Sequence, residues 1–477
     1  QCPLRLWYQC YNRKLDTPAS PSQQAIFDMG HDVGLLATKL YPAGLSVEED
    51  YMHHREAQKT TKSAITNPDV PAIFEGAFVY DGIRIRVDIL ERLDNDRWNM
   101  IEVKSATSAK EIYIVDAAIQ YYVLKGAGIA LDHVGILHLN NQYVYDGAKL
   151  DLNQLFHFAD LTEEIHRRQE SIANQVESLK TVLSLESPPT ISPSRHCLNP
   201  YKCEFWEYCT QDKPEFWVMG LSGITNQKLD QLTEIRVESI GDIPENFPLT
   251  ALQDRIRQCV SRNQEFISPD LRSELLDVEY PIHFLDFETI APAVPRYACT
   301  RPYQTIPFQW SDHILSDDGS IEHREYLCME DKDPREEFAR TLLEALGNEG
   351  TIFTYTGYEE GILKNLAVSL PLFESKLSSL ASRFKDLYAI IRRHYYHPLF
   401  HGSFSLKFVL PALVPSMSYE KLSIQEGTLA SLEYMRMVDA GTSVVEKERI
   451  KRDLLEYCGV DTLGMVMIRE ELLKRTS

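Results

Sequence analysis

The chain has 477 residues, 44% of them apolar and 25% charged, a composition that indicates a globular protein of two or three domains and excludes a disordered or fibrous chain. No apolar run is long enough for a membrane-spanning helix. The formal net charge of −21 argues against a protein that coats nucleic acid non-specifically, although a local basic groove or a bound metal would still allow nucleic acid as a substrate.

Helical and strand patterns alternate along the first 212 residues, which predicts an α/β domain. Apolar residues at helical spacing predict helices at 27–40, 116–125 and 160–185. Period-two alternation and short apolar runs predict strands at 72–80, 83–90, 99–105 and 134–139.

Two of these strands carry charged residues at positions that suggest a metal site. Asp88 lies on the strand 83–90, and Glu102 and Lys104 lie on the next strand, beyond a polar turn at 94–96. Alternate side chains of a strand share a face, so Glu102 and Lys104 are expected to face the same way, beside Asp88. Two converging carboxylates can hold a divalent cation, and a lysine beside them can polarise an attacking water. A surface hairpin with scattered charges is the alternative interpretation.

This stretch resembles the core of the PD-(D/E)XK nuclease superfamily, which has a restriction-endonuclease-like fold. The resemblance implies that Asp88 and Glu102 bind metal and that Lys104 acts on the attacking water. RecB-type members of the superfamily place a glutamine on the following helix, and Gln120 matches it, although their later tyrosine is not found at its usual spacing.

RecB-type nucleases also carry a metal-binding histidine near the N-terminus. His31, in F-D-M-G-H-D-V-G, is the candidate for that ligand, at a spacing that differs from the family's. Glu75, in A-I-F-E-G-A-F, is a further candidate acid.

The cysteines fall into two groups. Five of the nine are scattered among apolar or mixed residues and indicate thiols of a reducing compartment, which predicts a cytoplasmic location. Cys197, Cys203 and Cys209 instead recur with five residues between neighbours, in a loop that begins with prolines and serines. Three close thiols in such a chain indicate metal ligands, with Cys2 as the natural fourth ligand and His196 as its substitute. Zinc is the general alternative, although it usually shows paired C-x(2–4)-C knuckles.

One N-terminal cysteine followed by three beyond the nuclease core resembles the iron–sulfur staple of AddB-type nucleases and of the CRISPR-adaptation RecB-like exonucleases. The resemblance implies a 4Fe–4S cluster on Cys2, Cys197, Cys203 and Cys209 that pins together the two ends of a domain at 1–212. Short helices joined by tight turns are expected over the linker 213–279, which faintly resembles a helix–hairpin–helix DNA-binding unit. A plain helical linker is the preferred interpretation.

A second domain is predicted at 280–477. Asp286 and Glu288 interrupt a strongly apolar strand, and burying two carboxylates there costs several kcal/mol unless they are paired or bound to metal. Further strands are predicted at 310–315, 322–328 and 351–355, and Glu359 begins the helix that follows. Tyr457 and Asp461 lie four residues apart on an amphipathic helix and therefore share a face.

Asp286, Glu288, Glu359, Tyr457 and Asp461 resemble, in their order, the DEDDy branch of the DnaQ-like exonucleases, which have an RNase H-like fold. The resemblance implies that the four acids hold two divalent metals, Mg²⁺ or Mn²⁺, and that the tyrosine orients the attacking water. The chain departs from that family in having a glutamate at the middle position, where Glu360 is an alternative ligand. Asp386 is interpreted as a structural or auxiliary acid.

Residues 403–413 lie between the third and fourth acids. Ser403, Ser405 and Lys407 could contact a phosphate backbone, and a helix start capped by serine is an equally good interpretation.

Together these patterns predict a metal-dependent nuclease with two sites, acting on DNA rather than RNA in repair or anti-phage defence. One alternative is that one site, more plausibly the C-terminal one, has become a nucleic-acid clamp. An RNA-processing exonuclease and an iron–sulfur redox sensor or scaffold without turnover are further alternatives.

Overall fold

The computed structural model describes residues 2–477, and the chain divides into two compact units. Unit 1 runs to Cys209 and also includes Ala291–Gln304, and unit 2 comprises Thr210–Ile290 and Thr305–Ser477. Helices and mixed sheets occur in both, which confirms the predicted α/β class. Among the described residues, no helix is both long and apolar enough to cross a membrane.

The described strands of unit 1 form one mixed sheet in the order β1-β2-β3-β4-β5-β6. These strands are β1 (Leu45–Ser46), β2 (Ala72–Tyr80), β3 (Ile83–Arg92), β4 (Trp98–Lys104), β5 (Leu131–Leu139) and β6 (Phe156–Asp160). The helices are α1 (Pro3–Tyr11), α2 (Pro21–Thr38), α3 (His54–Thr66), α4 (Glu111–Gly126), α5 (Leu152–Leu155), α6 (Thr162–Leu183) and α7 (Trp206–Thr210). Strands β2, β3 and β4 are antiparallel, whereas β4 and β5 are parallel because α4 connects them.

The two faces of this sheet are both buried, by side chains that alternate along each strand. Leu90 and Met100 pack on one side, in a core shared with α3, α4 and α6, and Ile89 and Ile101 pack on the other, in a core shared with α2. Asp88 lies two residues from Leu90 on β3, and Glu102 and Lys104 lie two and four residues from Met100 on β4. All three side chains therefore lie on the same face of the sheet as Leu90 and Met100, the face that α4 covers.

Several helices of unit 1 begin earlier than their apolar spacing predicts. Helix α2 begins at Pro21 because Ser20 accepts a hydrogen bond from the Gln23 backbone while the Gln23 side chain accepts one from the Ser20 backbone.

The polar segment 54–66 also forms a helix, α3, that the apolar spacing does not predict. Ala57 and Ala64 form a narrow buried stripe that packs against the sheet.

Residues 291–304 differ from the sequence expectation, which assigned them to the second domain. They belong to unit 1 because Tyr145 and Thr300 form a backbone bridge, in which the Tyr145 N–H donates to the Thr300 carbonyl at 2.9 Å. Ala293 is buried in the core beside α2, and the Tyr303 hydroxyl donates to the Ser105 carbonyl at 2.7 Å. These contacts lie far apart in sequence, so local patterns gave no sign of them.

In unit 2, the described strands form a five-stranded sheet in the order β10-β9-β8-β11-β12 and a small pair, β7 with β13. These strands are β7 (Phe266–Ile267), β8 (Ile282–Ile290), β9 (Ile306–Leu315), β10 (Ile321–Leu327), β11 (Thr351–Thr354), β12 (Phe384–Asp386) and β13 (Tyr395–Tyr396). The helices are α8 (Asn226–Glu234), α9 (Ala251–Arg262), α10 (Leu271–Leu276), α11 (Arg335–Leu346), α12 (Tyr358–Ser369), α13 (Glu374–Ser379), α14 (Leu387–His394), α15 (Leu406–Leu413), α16 (Gly427–Val438) and α17 (Val444–Arg475).

Strand β8 is the centre of the larger sheet. Its partners are β9, which is antiparallel, and β11, which is parallel. Leu285 and Phe287 point to the face that α11 and α12 cover, where they join an apolar core. Helix α17 packs against β8 and β9, where Gln309 Nε2 donates to the Leu454 carbonyl at 2.9 Å and the hydroxyls of Ser311 and Thr462 lie 2.8 Å apart. The alternate residues Asp286 and Glu288 therefore lie on the face that this helix covers.

The predicted linker 213–279 forms α8, α9 and α10 and clusters with unit 2. Its last part is not a plain connector, because β7 pairs with β13 and the Ser268 N–H donates to the His394 carbonyl at 2.8 Å.

Gly350 immediately precedes β11, with a φ of +92°, and a Cβ at this position would collide with the Pro281 carbonyl oxygen. Gly319, in the turn between β9 and β10, has a similar φ of +85° with nothing near the built Cβ. We expect Gly350→Ala to destabilise the protein by about 1–3 kcal/mol more than Gly319→Ala, since only the former adds an overpacking cost to the backbone cost. Thermal unfolding of the two variants measures the difference, and equal melting temperatures would contradict it.

Candidate functional site

Unit 2 brings three acids together at the centre of its sheet. Asp286 and Glu288 come from one face of β8, and Asp461 comes from α17, which packs on that face. One ligand oxygen from each of the three lies within 4.8 Å of the others, and within residues 2–477 this is the one group of three or more His, Cys, Asp or Glu side chains with metal-binding spacing. The predicted convergence of these residues is therefore present in the structure.

Glu359 joins this group from the first turn of α12. Its helix follows β11, the parallel neighbour of β8, so the chain leaves the sheet beside Asp286. The side chain is 3% exposed, it shares a hydrogen bond with Asp286, and its Oε2 has no hydrogen-bond partner. Glu360, the alternative ligand, instead pairs with Lys364 at 2.6 Å on a more exposed side of the helix.

Burial and mutual repulsion make these four carboxyl groups difficult to ionise. Burial, with the charge of Glu359, raises the pKa of Asp286 to about 8, and burial likewise raises the pKa of Glu359 to about 8. Burial together with the charge of Asp286 raises the pKa of Glu288 and that of Asp461 well above the usual range. A divalent cation would remove this penalty, because it supplies the positive charge that the acids lack.

The residues present fit such a cation. All four offer hard oxygen ligands, which Mg²⁺ and Mn²⁺ prefer, and the unpartnered Oε2 of Glu359 leaves one buried acceptor available. Tyr457 is 5% exposed and lies on the same helix face as Asp461, where the charges of Asp461, Glu288 and Asp286 help burial to raise its pKa.

Three further residues border the acids, and two of them, Tyr419 and Cys458, belong to none of the motifs that the sequence shows. The Tyr419 hydroxyl donates to Asp461, and the Cys458 thiol lies 3.4 Å from Asp286 Oδ2. No sequence motif marks Tyr419, whereas Cys458 could have been noticed between Tyr457 and Asp461. The charge of Lys407 lowers the pKa of Glu288 and that of Asp461, and this effect is smaller than the rise caused by burial and by the charge of Asp286.

The neighbouring serines and Asp386 have local roles. Ser405 precedes α15 without a side-chain cap, and the Ser405 N–H instead donates to Ser403 Oγ at 3.2 Å. Asp386 caps α14 by accepting the Ala389 N–H at 3.0 Å, which agrees with a structural role.

Unit 1 brings together the second predicted set. The Val103 N–H donates to Asp88 Oδ2 at 2.7 Å, which ties Asp88 to the strand that carries Glu102. Lys104 Nζ lies 2.5 Å from Glu102 Oε1, and Gln120 Nε2 donates to Glu102 Oε2 at 2.6 Å from α4.

Asp116, one turn before Gln120 on α4, completes this network by accepting from Lys104 Nζ at 2.8 Å. Its spacing of four from Gln120 could have indicated that role. Burial raises the pKa of Asp88 to about 6 and that of Glu102 well above its usual range. Burial alone would lower the pKa of Lys104, but the carboxylates of Glu102 and Asp116 outweigh it and raise that pKa.

The early candidates His31 and Glu75 line one cavity with Asp88. The cavity has a volume of about 480 Å³ and is bordered by α2, β2 and β3. The three side chains do not reach metal-binding spacing in the described structure. Their proximity is nevertheless compatible with the expected position of His31 near the acids.

The four candidate cysteines lie in one apolar cluster of unit 1. Cys197 and Cys203 are buried in it, and Cys2 and Cys209 pack against it with Leu4, Tyr8 and Phe205. All four are free thiols. Burial and the neighbouring Cys203, Cys197 and Cys2 raise the pKa of Cys209 to about 11, so a bound cation is needed to favour its thiolate. His196, the substitute ligand, lies beside Cys197, with Nε2 3.4 Å from its sulfur.

Comparison with known proteins identifies one matching family, described as a domain of unknown function (DUF2779), over residues 283–405. The match includes Asp286, Glu288 and Glu359 and ends before Asp461. No curated protein and no solved structure matches the chain.

Glu359 and Glu360 offer a matched pair for testing the repulsion. In the presence of EDTA at pH 8, we expect Glu359→Gln to raise the free energy of unfolding by about 1–3 kcal/mol, because it removes a buried acid and its amide can donate to Asp286. The pKa of Glu359 rises from 4.5 to about 8 on folding, so this gain should fall as pH is lowered through that window and vanish near pH 4.

Glu360→Gln is the control and should change stability by no more than about 0.5 kcal/mol. Mn²⁺ should stabilise the wild type and the Glu360→Gln variant more than Glu359→Gln. Thermal unfolding across pH, with and without Mn²⁺, measures both effects. A destabilised Glu359→Gln variant with an unchanged response to Mn²⁺ would contradict this interpretation.

Proposed function

We propose that this protein is a metal-dependent nuclease that hydrolyses phosphodiester bonds, with one site in each unit and DNA as the favoured substrate. The main support for this proposal is that one ligand oxygen each of Asp286, Glu288 and Asp461 lies within 4.8 Å of the others, with Glu359 hydrogen-bonded to Asp286. Buried acids in this arrangement are costly unless a cation binds. Paired divalent cations on carboxylates are a recurring means of cleaving phosphodiesters.

The order of these elements supports a DEDDy-type site on an RNase H-like fold. The first two acids lie on the central strand β8, the third follows β11, and the last lies with Tyr457 on the late helix α17. Bound cations would supply Lewis-acid stabilisation of the phosphate. The side chains would hold the substrate and the water.

Each side chain beside the acids has a role that its contacts support. Tyr419 orients Asp461 through its hydroxyl, and the Cys458 thiol, 3.4 Å from Asp286 Oδ2, helps to position that carboxyl group. The charge of Lys407 lowers the pKa of Glu288 and that of Asp461, which suits a nearby residue that binds the scissile phosphate. Tyr457 is the residue that would orient the attacking water, and the site would act at strand ends, 3′ to 5′ by family analogy.

Asp88, Glu102, Lys104 and Gln120 support a second, RecB-like PD-(D/E)XK site. Lys104 and Gln120 fix the two oxygens of Glu102, while the Val103 N–H fixes Asp88, so both acids are oriented before any substrate binds. His31 is the further ligand that the family resemblance implies.

A specific observation also favours the second candidate function, a single nuclease with a nucleic-acid clamp. The sequence suggested that the glutamate at position 359 weakens the C-terminal site. The described geometry points the other way, since three acids of unit 2 form a group with metal-binding spacing, whereas no group of three ligand residues does so in the described part of unit 1. If one site is a clamp, we therefore assign that role to unit 1.

We further propose that Cys2, Cys197, Cys203 and Cys209 bind a 4Fe–4S cluster. The four free thiols share one apolar cluster, which joins α1 to the end of unit 1. Among the described residues, no three of these sulfurs lie within 4.8 Å of one another, a spacing that suits a cluster of four irons better than a single zinc ion.

Two variants separate the nuclease sites. We expect Asp286→Asn to reduce end-trimming by about two to three orders of magnitude, and Lys104→Ala to remove the remaining cleavage to a similar extent. Mn²⁺ should support end-trimming better than Mg²⁺, because the longer Glu359 suits the more tolerant cation. Gels of end-labelled single- and double-stranded DNA and RNA measure these activities, with Glu360→Gln as the active control.

Trimming that survives Asp286→Asn but not Lys104→Ala would make unit 2 the clamp. The opposite pattern would assign the clamp to unit 1. Wild-type cleavage by the double variant would contradict both sites.

The cluster is tested with two cysteines of the N-terminal segment. Purified without oxygen, the protein is expected to contain about four irons, and Cys2→Ser should lose iron and stability because the cluster closes a long loop. Cys10→Ser is the control, since Cys10 is exposed on α1, the helix that begins directly after Cys2. Elemental analysis measures iron and zinc, and zinc without iron would contradict the cluster while preserving a metal staple.

A further inference from the structure

An aromatic and basic surface lies beside the catalytic lysine of unit 1. Tyr113, near the start of α4, has two lysines around its ring: Lys104 Nζ lies 5.5 Å and Lys110 Nζ 5.9 Å from the ring centroid. Tyr201 is hydrogen-bonded to the Tyr113 side chain and is 62% exposed. Together Tyr113, Tyr201 and Lys110 are termed the stacking platform.

Tyr201 is held in this position by the cysteine loop. It lies between Cys197 and Cys203, and the Cys203 N–H donates to the Cys197 carbonyl at 2.7 Å, which closes the loop at its base. Both cysteines are anchored in the apolar cluster, whereas the ring of Tyr201 is largely exposed to solvent. An exposed aromatic ring on an anchored loop can accept a flat partner with little loss of conformational freedom.

The charge of this surface suits an anionic partner, although the protein as a whole is acidic. The nearby acids are already paired, because Asp116 accepts from Lys104 at 2.8 Å and Glu111 pairs with Arg168 at 3.0 Å. Lys110 forms no ion pair with any described residue, so its charge is available. Aromatic rings interleaved with lysines are the usual means of binding single-stranded nucleic acid, in which unpaired bases stack and phosphates meet cations.

We propose that the stacking platform binds an unpaired base of a single-stranded nucleic acid and leads that strand to the site at Asp88, Glu102 and Lys104. This inference rests on the proposed nuclease function of unit 1 and specifies its substrate as a single strand, since a base within a duplex cannot lie on an exposed ring. Lys110 would contact the adjacent phosphate. Stacking does not depend on the sugar, so single-stranded DNA and RNA share the chemistry that the platform recognises.

The first test measures binding of fluorescent oligothymidylate and oligouridylate to the full-length, iron-loaded protein in EDTA, which prevents cleavage. We expect Tyr201→Ala and Tyr113→Ala each to weaken binding roughly tenfold, as for loss of one stacked base. Tyr201→Phe should bind within about twofold of wild type, because it keeps the ring and loses only the hydroxyl. A duplex of the same length should bind all variants alike.

Tyr11→Ala is the matched control, because Tyr11 is 57% exposed in the same unit and no described cation lies over its ring. Iron content and melting temperature identify any variant whose loop is disturbed. If Tyr201→Ala loses iron, the binding measured with Tyr113→Ala provides the test, because Tyr113 lies on α4 and not in the cysteine loop. A loss of affinity with either single strand supports the platform, and wild-type affinity of both alanine variants for both strands overturns it.

A second test locates the contact. Photo-crosslinking with a 5-iodouracil oligonucleotide should label a peptide that contains Tyr113 or Tyr201, and labelling confined to other peptides would overturn the inference. The nuclease assay is a separate readout. Crosslinking at the platform without cleavage by unit 1 would refute the nuclease proposal alone, and cleavage by unit 1 with unaffected alanine variants would refute the platform alone.

Discussion

Repulsion among buried carboxylates is the constraint on which the structure of unit 2 depends. One ligand oxygen each of Asp286, Glu288 and Asp461 lies within 4.8 Å of the others, and the charge of Lys407 only partly offsets the rise in the pKa of Glu288 and of Asp461. The apolar core on the other face of β8 and the packing of α17 hold these acids in place despite that repulsion. Such an arrangement lowers stability in the absence of metal, and under the proposed function a bound cation would restore it.

In unit 1, a lysine and a side-chain amide contact one of the buried acids directly. Glu102 accepts hydrogen bonds from Lys104 and Gln120, and Asp88 accepts the Val103 N–H. These contacts offset only part of the effect of burial, which still raises the pKa of both acids. A cation entering this site must therefore compete with Lys104, whereas the four acids of the unit 2 site form no ion pair with a described residue. This contrast makes metal binding the property by which the two units should differ most.

The α/β class and most strands could be predicted because period-two and helical patterns are local, and so could the convergence of Asp286, Glu288 and Asp461. The placement of residues 291–304 in unit 1 could not, since it depends on the bridge between Tyr145 and Thr300, which are distant in sequence. Tyr419 was missed for the same reason: it meets Asp461 only through tertiary packing. The choice of Glu359 over Glu360 required knowledge of which side of α12 is buried.

An anomalous difference map from crystals grown with MnCl₂ would show whether the acids of unit 2 bind a metal ion. We expect a manganese peak within coordination distance of Asp286, Glu288 and Asp461, with Glu359 close enough to contribute an oxygen. A map with no manganese at these acids, and with the carboxyl groups hydrogen-bonded only to one another, would contradict it.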